Sequence, residues 1–575
     1  MTLEELQAKL KKRKIDAYIV TRNNMFLGQD VLEEENRLFG LTGFSGSAGT
    51  LIVLQDKAVL LVDGRYELQA PRQVDAAKVD VVCGSRVEQC LSDRLGRRKS
   101  ARVAFNAWTC SYAQAEAWRR ALPDFQFIAD NSEIFDNNLN RKNCRVFEHK
   151  IEFSGTDRME KLSWLAGRMK ICGLDGWFIT LADSVSWLLN IRSNCLPDTP
   201  LVRAYALVDK NLGVCLFGDN LDFDFRLPGN IRLLSTADIP QILKKFKNRG
   251  IGVSAEDAPC RLTDLMAAAK VRCRFEADPC LAEKAVKNPV EIGGIIKAHL
   301  RDGVALTKFL YWLDTKAAAK TELDIVQKLH DFRAAGQNFF SESFGTIAAF
   351  GSNGAIVHYQ PDAKTNAELR DGSLLLLDSG AQYFDGTTDV TRTVAVGIPS
   401  AEMTENFTLV LKSHIALASA VFPAGTSGAQ LDAIARDPLW RNQKDFNHGT
   451  GHGVGCFLNV HEGPQSISRN HGYYPLQPGM VVSIEPGYYL AGQYGIRIEN
   501  LALTESCPET ENGEAFCRFK ILTLAPVDKR LVNKYLMSSG EISWLNQYHE
   551  TVFRQLSPFM DEDEKIWLKD ACSPL

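Results

Sequence analysis

The 575-residue sequence has no C-x-x-C pair among its 14 cysteines, a formal net charge of only -4, and no apolar run long enough to cross a bilayer. The missing cysteine pairs argue against thiolate zinc sites and thioredoxin-type redox chemistry. The small net charge argues against nucleic-acid binding, which needs a strong basic footprint. Because the N-terminus also lacks an apolar signal segment, we expect a cytoplasmic protein that does not bind membranes. Its scattered cysteines are then expected to be reduced and mostly buried thiols.

The length exceeds one ordinary hydrophobic core and predicts several domains. Residues 1–147 alternate helical and strand-like segments and form a first predicted α/β domain. Residues 148–285 repeat this rhythm and form a second. The polar run EKAVKNPVEIGG marks the next boundary, and a long amphipathic helix is expected to start after Pro289. Residues 286–575 form the third predicted region, which contains buried-strand patterns such as SLLLLDSGAQY.

Five residues of the third region have the identities and order of a two-metal hydrolase site. These candidate metal ligands are Asp378, Asp389, His452, Glu485 and Glu499. Four carboxylates held together repel one another, and this repulsion disfavours their ionisation. Two divalent cations would cancel the four negative charges, lower the pKa of a water molecule and polarise a carbonyl group. Oxygen ligands with one imidazole suit two Mn²⁺ ions, and Zn²⁺ or Co²⁺ are alternatives.

Nearly all of these polar candidates are expected on strands, which would hold them rigidly. Asp378 and Asp389 are predicted on consecutive strands joined by a turn near residues 384–386, so a hairpin would bring both carboxylates to one sheet face. Arg497 and Glu499 are two residues apart and would share one face of the strand YGIRIENLAL.

The spacing of His448 and His452 leaves a competing interpretation, an H-x-x-x-H zinc motif. That motif needs a helix to bring its two histidines together. The glycines of HGTGHGVG disfavour a helix and allow close approach of the backbone to a metal. His448 is therefore expected outside the group of metal ligands. His414 lies in the helical pattern ENFTLVLKSHIALASAVF and is interpreted as structural.

Several stretches resemble those of the aminopeptidase P family, the Xaa-Pro aminopeptidases among M24 peptidases. In the third region they are DSGAQYFDGTTDVTRT, HGTGHGVGCFLNVHEGP, EPGYY and GIRIEN. LTGFSGSAGT, VDGRYELQA and DSVSWLLNIR resemble the family's two N-terminal domains, and EISWLNQYHETV resembles the C-terminal extension of its long cytosolic type. The resemblance implies two creatinase-like α/β domains followed by a pita-bread catalytic domain, in which two pseudo-related halves surround the metals.

By motif position, the resemblance implies that the five candidates are the metal ligands and that Glu485 also relays a proton from the attacking water. Three histidines are implied to line the substrate site and to support proton transfer or the tetrahedral intermediate: His358, His448 and His461. Arg497 matches an arginine behind the ligands, and Tyr489 is expected to help wall the proline pocket.

The implied reaction is removal of an N-terminal residue that is followed by proline, by a hydroxide that two metal ions activate. An X-Pro bond has no N–H, so a pocket must recognise the pyrrolidine ring by its shape. The leaving nitrogen gains a proton from Glu485 or from a histidine. The implied partners are peptides with proline at the second position and, in a homodimer, a second copy of the chain.

Two alternatives remain within the same fold: a prolidase that cuts dipeptides ending in proline, and an inactive pita-bread binding module. The two N-terminal domains and the C-terminal extension favour aminopeptidase P over prolidase, and the complete ligand set argues against the binding module. Two departures from the family pattern concern the pocket. Phe446-Asn447 stands where Tyr-Gly is common, and Cys456 stands where a small residue such as serine is common.

Overall fold

A computed structural model describes residues 1–28, 30–96, 100–131, 143–315, 320–508 and 513–575. The chain divides into two compact units. The first consists of Met1–His149, Thr156–Leu196 and Leu201–Cys280, and the second of Lys150–Gly155, Pro197–Pro200 and Leu281–Leu575. Within the described ranges, no helix has both the length and the apolarity to cross a membrane. The boundaries expected at 147/148 and 285/286 stay predictions.

The N-terminal part of the first unit contains one six-stranded sheet. Its strands are β1 (Ala17–Thr21), β2 (Thr50–Leu54), β3 (Ala58–Val62), β4 (Val79–Cys83), β5 (Arg102–Asn106) and β6 (Gln126–Asp130). They are ordered β4-β3-β2-β1-β5-β6. The helices are α1 (Leu3–Arg13), α2 (Arg37–Thr42), α3 (Ala70–Gln73), α4 (Val87–Leu95) and α5 (Tyr112–Ala121). A capping box starts α1, because Thr2 Oγ1 accepts the Glu5 N–H at 3.2 Å and the Glu5 carboxylate accepts the Thr2 N–H at 2.9 Å.

The next part of the chain contains a second six-stranded sheet and a small three-stranded one. The strands are β7 (Cys144–Glu148), β8 (Gly176–Ile179), β9 (Ile191–Ser193), β10 (Tyr205–Asp209), β11 (Val214–Phe217), β12 (Leu221–Phe223), β13 (Ile231–Leu234), β14 (Gly250–Val253) and β15 (Arg272–Phe275). They form the orders β13-β11-β10-β8-β14-β15 and β12-β7-β9. The helices are α6 (Ile151–Ser154), α7 (Arg158–Cys172), α8 (Ala182–Leu188), α9 (Ile239–Lys244) and α10 (Cys260–Ala268), of which α6 belongs to the second unit.

One disulfide corrects the expectation that the cysteines are all reduced. Cys144 and Cys195 are joined, with their Cα atoms 4.9 Å apart. Strands β7 and β9 pair antiparallel with Val146 opposite Ser193, and the same register carried outward places the two cysteines opposite each other. Because 51 positions separate them in the sequence, their spacing held no signal for this pairing.

From Pro279 onward the described chain contains seven helices and fourteen strands, of which all but the first two residues of α11 belong to the second unit. The helices are α11 (Pro279–Ala285), α12 (Pro289–Thr315), α13 (Glu322–Ala334), α14 (Ala401–Ala418), α15 (Gly428–Trp440), α16 (Ser539–Leu556) and α17 (Glu562–Ala571). The strands are β16 (Phe339–Glu342), β17 (Ile347–Phe350), β18 (Ser373–Ser379), β19 (Ala381–Tyr383), β20 (Gly386–Thr387), β21 (Val390–Val396), β22 (Val421–Pro423), β23 (Gly451–His452), β24 (Ser466–Ile467), β25 (Val481–Ile484), β26 (Gly487–Leu490), β27 (Tyr494–Arg497), β28 (Asn500–Ser506) and β29 (Phe516–Ile521). Short 3-10 helices lie in both units: in the first at Glu33–Glu35, Gly64–Tyr66 and Thr236–Asp238, and in the second at Gly351–Ala355, Lys529–Leu531, Lys534–Leu536 and Ser557–Phe559.

Two halves of the second unit share one plan, a pair of packed helices with an antiparallel sheet. The first half combines α12 and α13 with the sheet β17-β18-β21. The second combines α14 and α15 with the sheet β22-β29-β28-β25. The long helix predicted after Pro289 is present and already includes Pro289 as its first residue. Strand β18 is buried along nearly its whole length, as SLLLLDSGAQY predicted.

Each half contains one antiparallel strand pair whose end carries two acidic residues. In the first half, β18 pairs with β21 and Asp378 lies opposite Thr391. In the second, β25 pairs with β28 and Ile484 lies opposite Asn500, so Glu485 and Glu499 are the next opposed positions. The predicted hairpin is more elaborate than expected, because β19 and β20 lie between the two strands of the first pair.

Asp278 of the first unit is a buried carboxyl group that destabilises the folded state once it is ionised. Its Oδ1 accepts the Cys280 N–H at 2.8 Å, and the Ser184 hydroxyl lies beside the carboxylate. Burial raises the pKa of Asp278 to about 6, and the carboxylates of Asp183 and Asp257 add to the rise. The folded state therefore binds this proton more tightly than the unfolded chain, and stability falls as the pH rises from about 4 to about 6.

We expect Asp278→Asn to stabilise the protein above pH 6 by up to about 3 kcal/mol and to leave its stability nearly unchanged at pH 4. The amide retains an acceptor for the Cys280 N–H but carries no charge. Unfolding in urea at pH 4 and pH 7.5 measures the difference. Asp222→Asn, at an exposed position of β12, is the matched control and should show no pH-dependent gain. An equal effect of Asp278→Asn at both pH values contradicts the prediction.

Candidate metal centre

Three of the four candidate carboxylates lie just beyond the ends of strands. Asp378 lies on β18, but Asp389 comes one residue before β21. Glu485 follows β25 directly, and Glu499 precedes β28 directly. The expectation that nearly all candidates lie on strands is therefore wrong. Within a strand, successive side chains point to opposite faces of the sheet. Beyond the strand end this alternation stops, so side chains from different strands can point to one place.

Six side chains converge in three overlapping groups, within each of which the donor atoms lie no more than 4.8 Å from one another. The groups are Asp378, Asp389 and Glu499; His452, Glu485 and Glu499; and Asp389, His452 and His461. All five predicted ligands are included. His461, which we expected at the substrate, also lies within ligand distance of two of them.

Buried acceptor atoms in the cluster fit divalent cations. Asp378 Oδ1, Asp389 Oδ1 and Glu499 Oε1 are buried and have no hydrogen-bond partner among the described residues. Burial raises the pKa of Asp389 and of Glu499 well above the ordinary range, and repulsion from the neighbouring carboxylates raises it further. Such a cluster stays ionised only when positive charge compensates it. An oxygen-rich set with imidazole suits divalent ions.

The ring of His452 presents a nitrogen to the same point. Its Nδ1 donates to the Gly453 carbonyl at 2.9 Å, because a carbonyl oxygen can only accept. Its Nε2 lies 3.4 Å from Asp389 Oδ2 and 3.5 Å from Glu485 Oε1. A neutral ring held in this way directs its Nε2 lone pair toward the carboxylates, which is the arrangement of a histidine that binds metal through Nε2.

A chain of hydrogen bonds leads from the cluster to His448. Arg497 donates from Nη2 to Asp378 Oδ2 at 2.6 Å and from Nη1 to the Tyr489 hydroxyl at 2.6 Å. The Tyr489 hydroxyl lies 2.8 Å from His448 Nε2, and His448 Nδ1 donates to the Gly449 carbonyl at 2.7 Å. Burial raises the pKa of Tyr489 to about 12, so its hydroxyl stays protonated and donates a hydrogen bond to His448 Nε2. The expected place of Tyr489 in a proline pocket stays a prediction.

The remaining histidines differ in their relation to the cluster. The exposed ring of His461 lies edge-on to that of His452, with 4.3 Å between ring centroids. His358 follows Val357, whose carbonyl accepts from Arg497 Nη2 at 3.3 Å. His448 and His452 are not joined by a helix, because His452 lies on the short strand β23. The H-x-x-x-H alternative is therefore wrong.

In the two departures from the family pattern, Phe446 and Cys456 are buried, with 2% exposure each, whereas Asn447 is exposed. The Phe446 ring lies 4.7 Å from the ring of His448 and 3.8 Å below the guanidinium carbon of Arg436. Arg436 also donates to the His448 carbonyl at 2.7 Å. Cys456 packs in an apolar cluster with Ile295. Phe446 therefore contacts a candidate substrate histidine, whereas Cys456 contacts the hydrophobic core.

Sequence reasoning missed several side chains that hold the candidates in place. Thr391 Oγ1 donates to Glu499 Oε2 at 2.8 Å, and Ser483 Oγ donates to Glu485 Oε1 at 3.2 Å. Ser483 Oγ also accepts the His452 N–H at 2.9 Å. A usable signal existed, because both hydroxyl residues stand two positions from a candidate carboxylate in a strand-like segment, where residues two apart share a face.

Glu462, next to His461, is a further residue that the sequence did not single out. Its buried carboxylate lies 2.7 Å from Lys287 Nζ and 3.1 Å from Lys284 Nζ. Both lysines are buried as well. Because removing one partner of a buried ion pair leaves an uncompensated charge, this triad anchors the segment that carries His461.

Family comparisons cover the chain from end to end. "Creatinase/Prolidase N-terminal domain" matches residues 3–136 and 138–291, "Metallopeptidase family M24" matches residues 293–506, and the C-terminal region of peptidase M24 matches residues 515–575. Aminopeptidase P2 of Arabidopsis thaliana is 35% identical over 614 residues, which cover 98% of this chain and 86% of that protein. The chain belongs to the aminopeptidase P family of M24 metallopeptidases. Xaa-Pro aminopeptidase 1 of Dictyostelium discoideum is 32% identical, covering 100% of this chain and 96% of that protein.

The aminopeptidase P family also supplies a solved structure of similar extent. X-prolyl aminopeptidase from Caenorhabditis elegans, described as a cytosolic enzyme with a di-nuclear active site, has a TM-score of 0.93 at 30% identity and covers 100% of both chains. Prolidase from Pyrococcus horikoshii has a TM-score of 0.50 at 23% identity over 64% of this chain, which shows a shared fold alone. The predicted creatinase-like N-terminal domains and pita-bread catalytic domain are confirmed.

Gly451 and Gly449 provide a matched test of how closely the backbone packs at the centre. A Cβ at Gly451 would lie 1.9 Å from the Ser483 carbonyl oxygen, whereas a Cβ at Gly449 would meet no atom closer than 3.6 Å. We expect Gly451→Ala to push β23 from β25 and to lower stability by about 1–3 kcal/mol or more. Gly449→Ala should stay within about 0.5 kcal/mol of the unmodified protein. Thermal unfolding of both variants checks this, and equal losses would contradict it.

Proposed function

We propose that the chain is a metal-dependent aminopeptidase that hydrolyses the bond between an N-terminal residue and a following proline. The observation that carries this proposal is the convergence of four carboxylates and two imidazoles, whose donor atoms form groups within 4.8 Å. Full-length similarity to proteins named Xaa-Pro aminopeptidase supports the choice of substrate. Similarity to the prolidase from Pyrococcus horikoshii covers 64% of this chain, whereas similarity to the two Xaa-Pro aminopeptidases covers 100%, which does not favour the dipeptidase alternative.

The ligands in this proposal are the five residues Asp378, Asp389, His452, Glu485 and Glu499. Their oxygen-rich donor set favours Mn²⁺, with Zn²⁺ or Co²⁺ as alternatives. Two bound divalent ions supply a lowered pKa for water and polarisation of the scissile carbonyl. The carboxylates would determine the positions of the ions. Arg497 donates to Asp378 at 2.6 Å and partly neutralises the negative charge beside that ligand.

Glu485 is the residue we assign to proton transfer. Its side chain is 18% exposed, compared with 11% for Asp378 and 5% for Asp389. Of these carboxylates it is therefore the one most open to a substrate. The Ser483 hydroxyl holds its Oε1 at 3.2 Å. Glu485 accepts a proton from the attacking water and returns it to the proline nitrogen, which must be protonated before it leaves.

Histidines around the centre line the substrate site in this proposal. His461 is exposed beside His452, so its ring can donate to the carbonyl oxygen on which negative charge develops. His448 is oriented by Tyr489 and the Gly449 carbonyl, which fixes the position of its ring beside the centre. His358, attached to the Val357 carbonyl that Arg497 binds, is assigned to the same substrate-lining group.

The finer biological context is also a proposal. A homodimer is expected from the family resemblance. A cytoplasmic location is supported by the description of the Caenorhabditis elegans relative as a cytosolic enzyme. The formal net charge of -4 supports the expectation that nucleic acids are not partners.

The proposed activity is tested with a peptide that begins Arg-Pro-Pro. We expect release of free arginine in the presence of Mn²⁺. Excess chelator should abolish the activity, because without cations the buried carboxylates repel one another and no longer hold the metal ions that the reaction needs. Mass spectrometry identifies the products, and Mn²⁺ added back should restore cleavage. The matched control is the same peptide with alanine in place of the first proline.

Three outcomes would contradict this function. Cleavage of Xaa-Pro dipeptides without cleavage of longer peptides indicates a prolidase. Cleavage of the alanine peptide at the same rate removes the preference for proline. Absence of both Mn²⁺ binding and peptidase activity indicates an inactive binding module.

Glu485→Gln should lower kcat by about 10²–10⁴-fold while the protein stays folded, because an amide cannot accept and return the proton. Circular dichroism verifies the fold, and steady-state kinetics with saturating Mn²⁺ measures kcat. Glu505→Gln is the control, since Glu505 lies on β28 near the surface beside Arg518 and Lys520. A near-normal kcat for Glu485→Gln excludes the assigned role.

A further inference from the structure

Two glutamates of the metal centre lie where the backbone has left its sheet. β25 ends at Ile484 and β28 begins at Asn500, so neither Glu485 nor Glu499 is part of a strand. Their N–H groups are bound by the carbonyls of Thr450, at 2.8 Å, and Thr391, at 3.1 Å. Because the buried carboxylates repel one another, the backbone on the carbonyl side of each glutamate also needs fixed partners if the ligands are to keep their positions.

Buried Arg392 holds the carbonyl side of Glu499. Its Nη1 donates to the Glu499 carbonyl at 2.7 Å, and its Nη2 donates to Asn500 Oδ1 at 2.9 Å. The same Nη2 donates to the Tyr548 hydroxyl at 2.8 Å. The Tyr548 hydroxyl lies 2.8 Å from the Ala525 carbonyl, to which it can donate its own hydrogen. The guanidinium that binds the backbone of one candidate ligand is therefore held in part by a side chain of helix α16, together with the carbonyls of Pro526 at 3.1 Å and Ala525 at 2.9 Å.

His414 holds the chain beside the other glutamate. Its Nδ1 donates to the Ile484 carbonyl at 3.1 Å, and its Nε2 accepts from Asn500 Nδ2 at 3.0 Å. Burial lowers the pKa of His414 to about 3, so the ring is neutral and both contacts can exist at once. Trp544 lies edge-on to the His414 ring, with centroids 6.0 Å apart, and stacks on Tyr548 at 5.6 Å.

Trp544 and Tyr548 are four positions apart on α16 and thus share one face of the helix. Through Arg392 and His414 this face reaches both glutamate segments, and Asn500 joins the two routes. We propose that α16, in the C-terminal extension, is a positioning element of the metal centre, which holds Glu485 and Glu499 in ligand geometry through Tyr548 and Trp544. This inference rests on the proposed role of those glutamates as metal ligands.

Tyr548→Phe in the full-length protein tests the proposal. The substitution keeps the ring stacked on Trp544 but removes the hydroxyl that Arg392 binds. We expect Mn²⁺ affinity to fall on the order of tenfold, as for other partners that orient metal ligands, with an unchanged KM for the Arg-Pro-Pro peptide at saturating Mn²⁺. Isothermal titration with Mn²⁺ alone measures the affinity without reference to activity. Tyr535→Phe, at an 88% exposed tyrosine, should leave it unchanged.

A second variant guards against misfolding of the first. Trp544→Phe keeps an aromatic ring beside Tyr548 and reduces contact with His414, and it should also weaken Mn²⁺ binding several-fold. A lower unfolding temperature of either variant with unchanged Mn²⁺ affinity would show that α16 is only a structural support, and would overturn the proposal. If the unmodified protein itself bound no Mn²⁺ and cleaved no peptide, the proposed function would fail instead.

Discussion

Electrostatic repulsion among Asp378, Asp389, Glu485 and Glu499 is the constraint on which the catalytic unit depends. Buried acceptor oxygens of the cluster lack hydrogen-bond partners in the described chain, and burial and neighbouring carboxylates raise the pKa values of Asp389 and Glu499. Both observations show how unfavourable the cluster is without cations. Folding must hold it together all the same. The two antiparallel strand pairs do so by delivering two acidic side chains each from opposing strand ends.

Holding such a cluster requires rigid surroundings, and hydrogen bonds from buried side chains provide them. Thr391 and Ser483 bind carboxylate oxygens directly, while Arg497 contributes the nearest positive charge. Farther out, Arg392 and His414 bind the backbone next to Glu499 and Glu485. The polar atoms of Arg392 and His414 near the glutamates all form hydrogen bonds. A buried polar network makes a core rigid only when its members have such partners.

In the histidines near the centre, the partner of one ring nitrogen determines what the other ring nitrogen can bind. His452 and His448 both donate from Nδ1 to a neighbouring backbone carbonyl, which leaves Nε2 for the centre and for Tyr489, respectively. The glycines of HGTGHGVG let this segment pass close to other strands; at Gly451 the Ser483 carbonyl leaves no room for a Cβ. One segment thus combines close packing with two oriented imidazoles.

The amino-acid sequence by itself determined the mixed α/β class, the long helix near Pro289 and the identity of the acidic cluster. Buried strand patterns and closely spaced Gly, His and acidic motifs are local signals. Placement of three carboxylates beyond strand ends was not predictable, since alternation along a strand does not show where the strand stops. The disulfide between Cys144 and Cys195, the buried pairing of Glu462 with two lysines, and the contacts of Tyr548 with Arg392 all join positions far apart in the chain. Only the tertiary structure decided these, because they depend on strand register and helix packing, which no local pattern encodes.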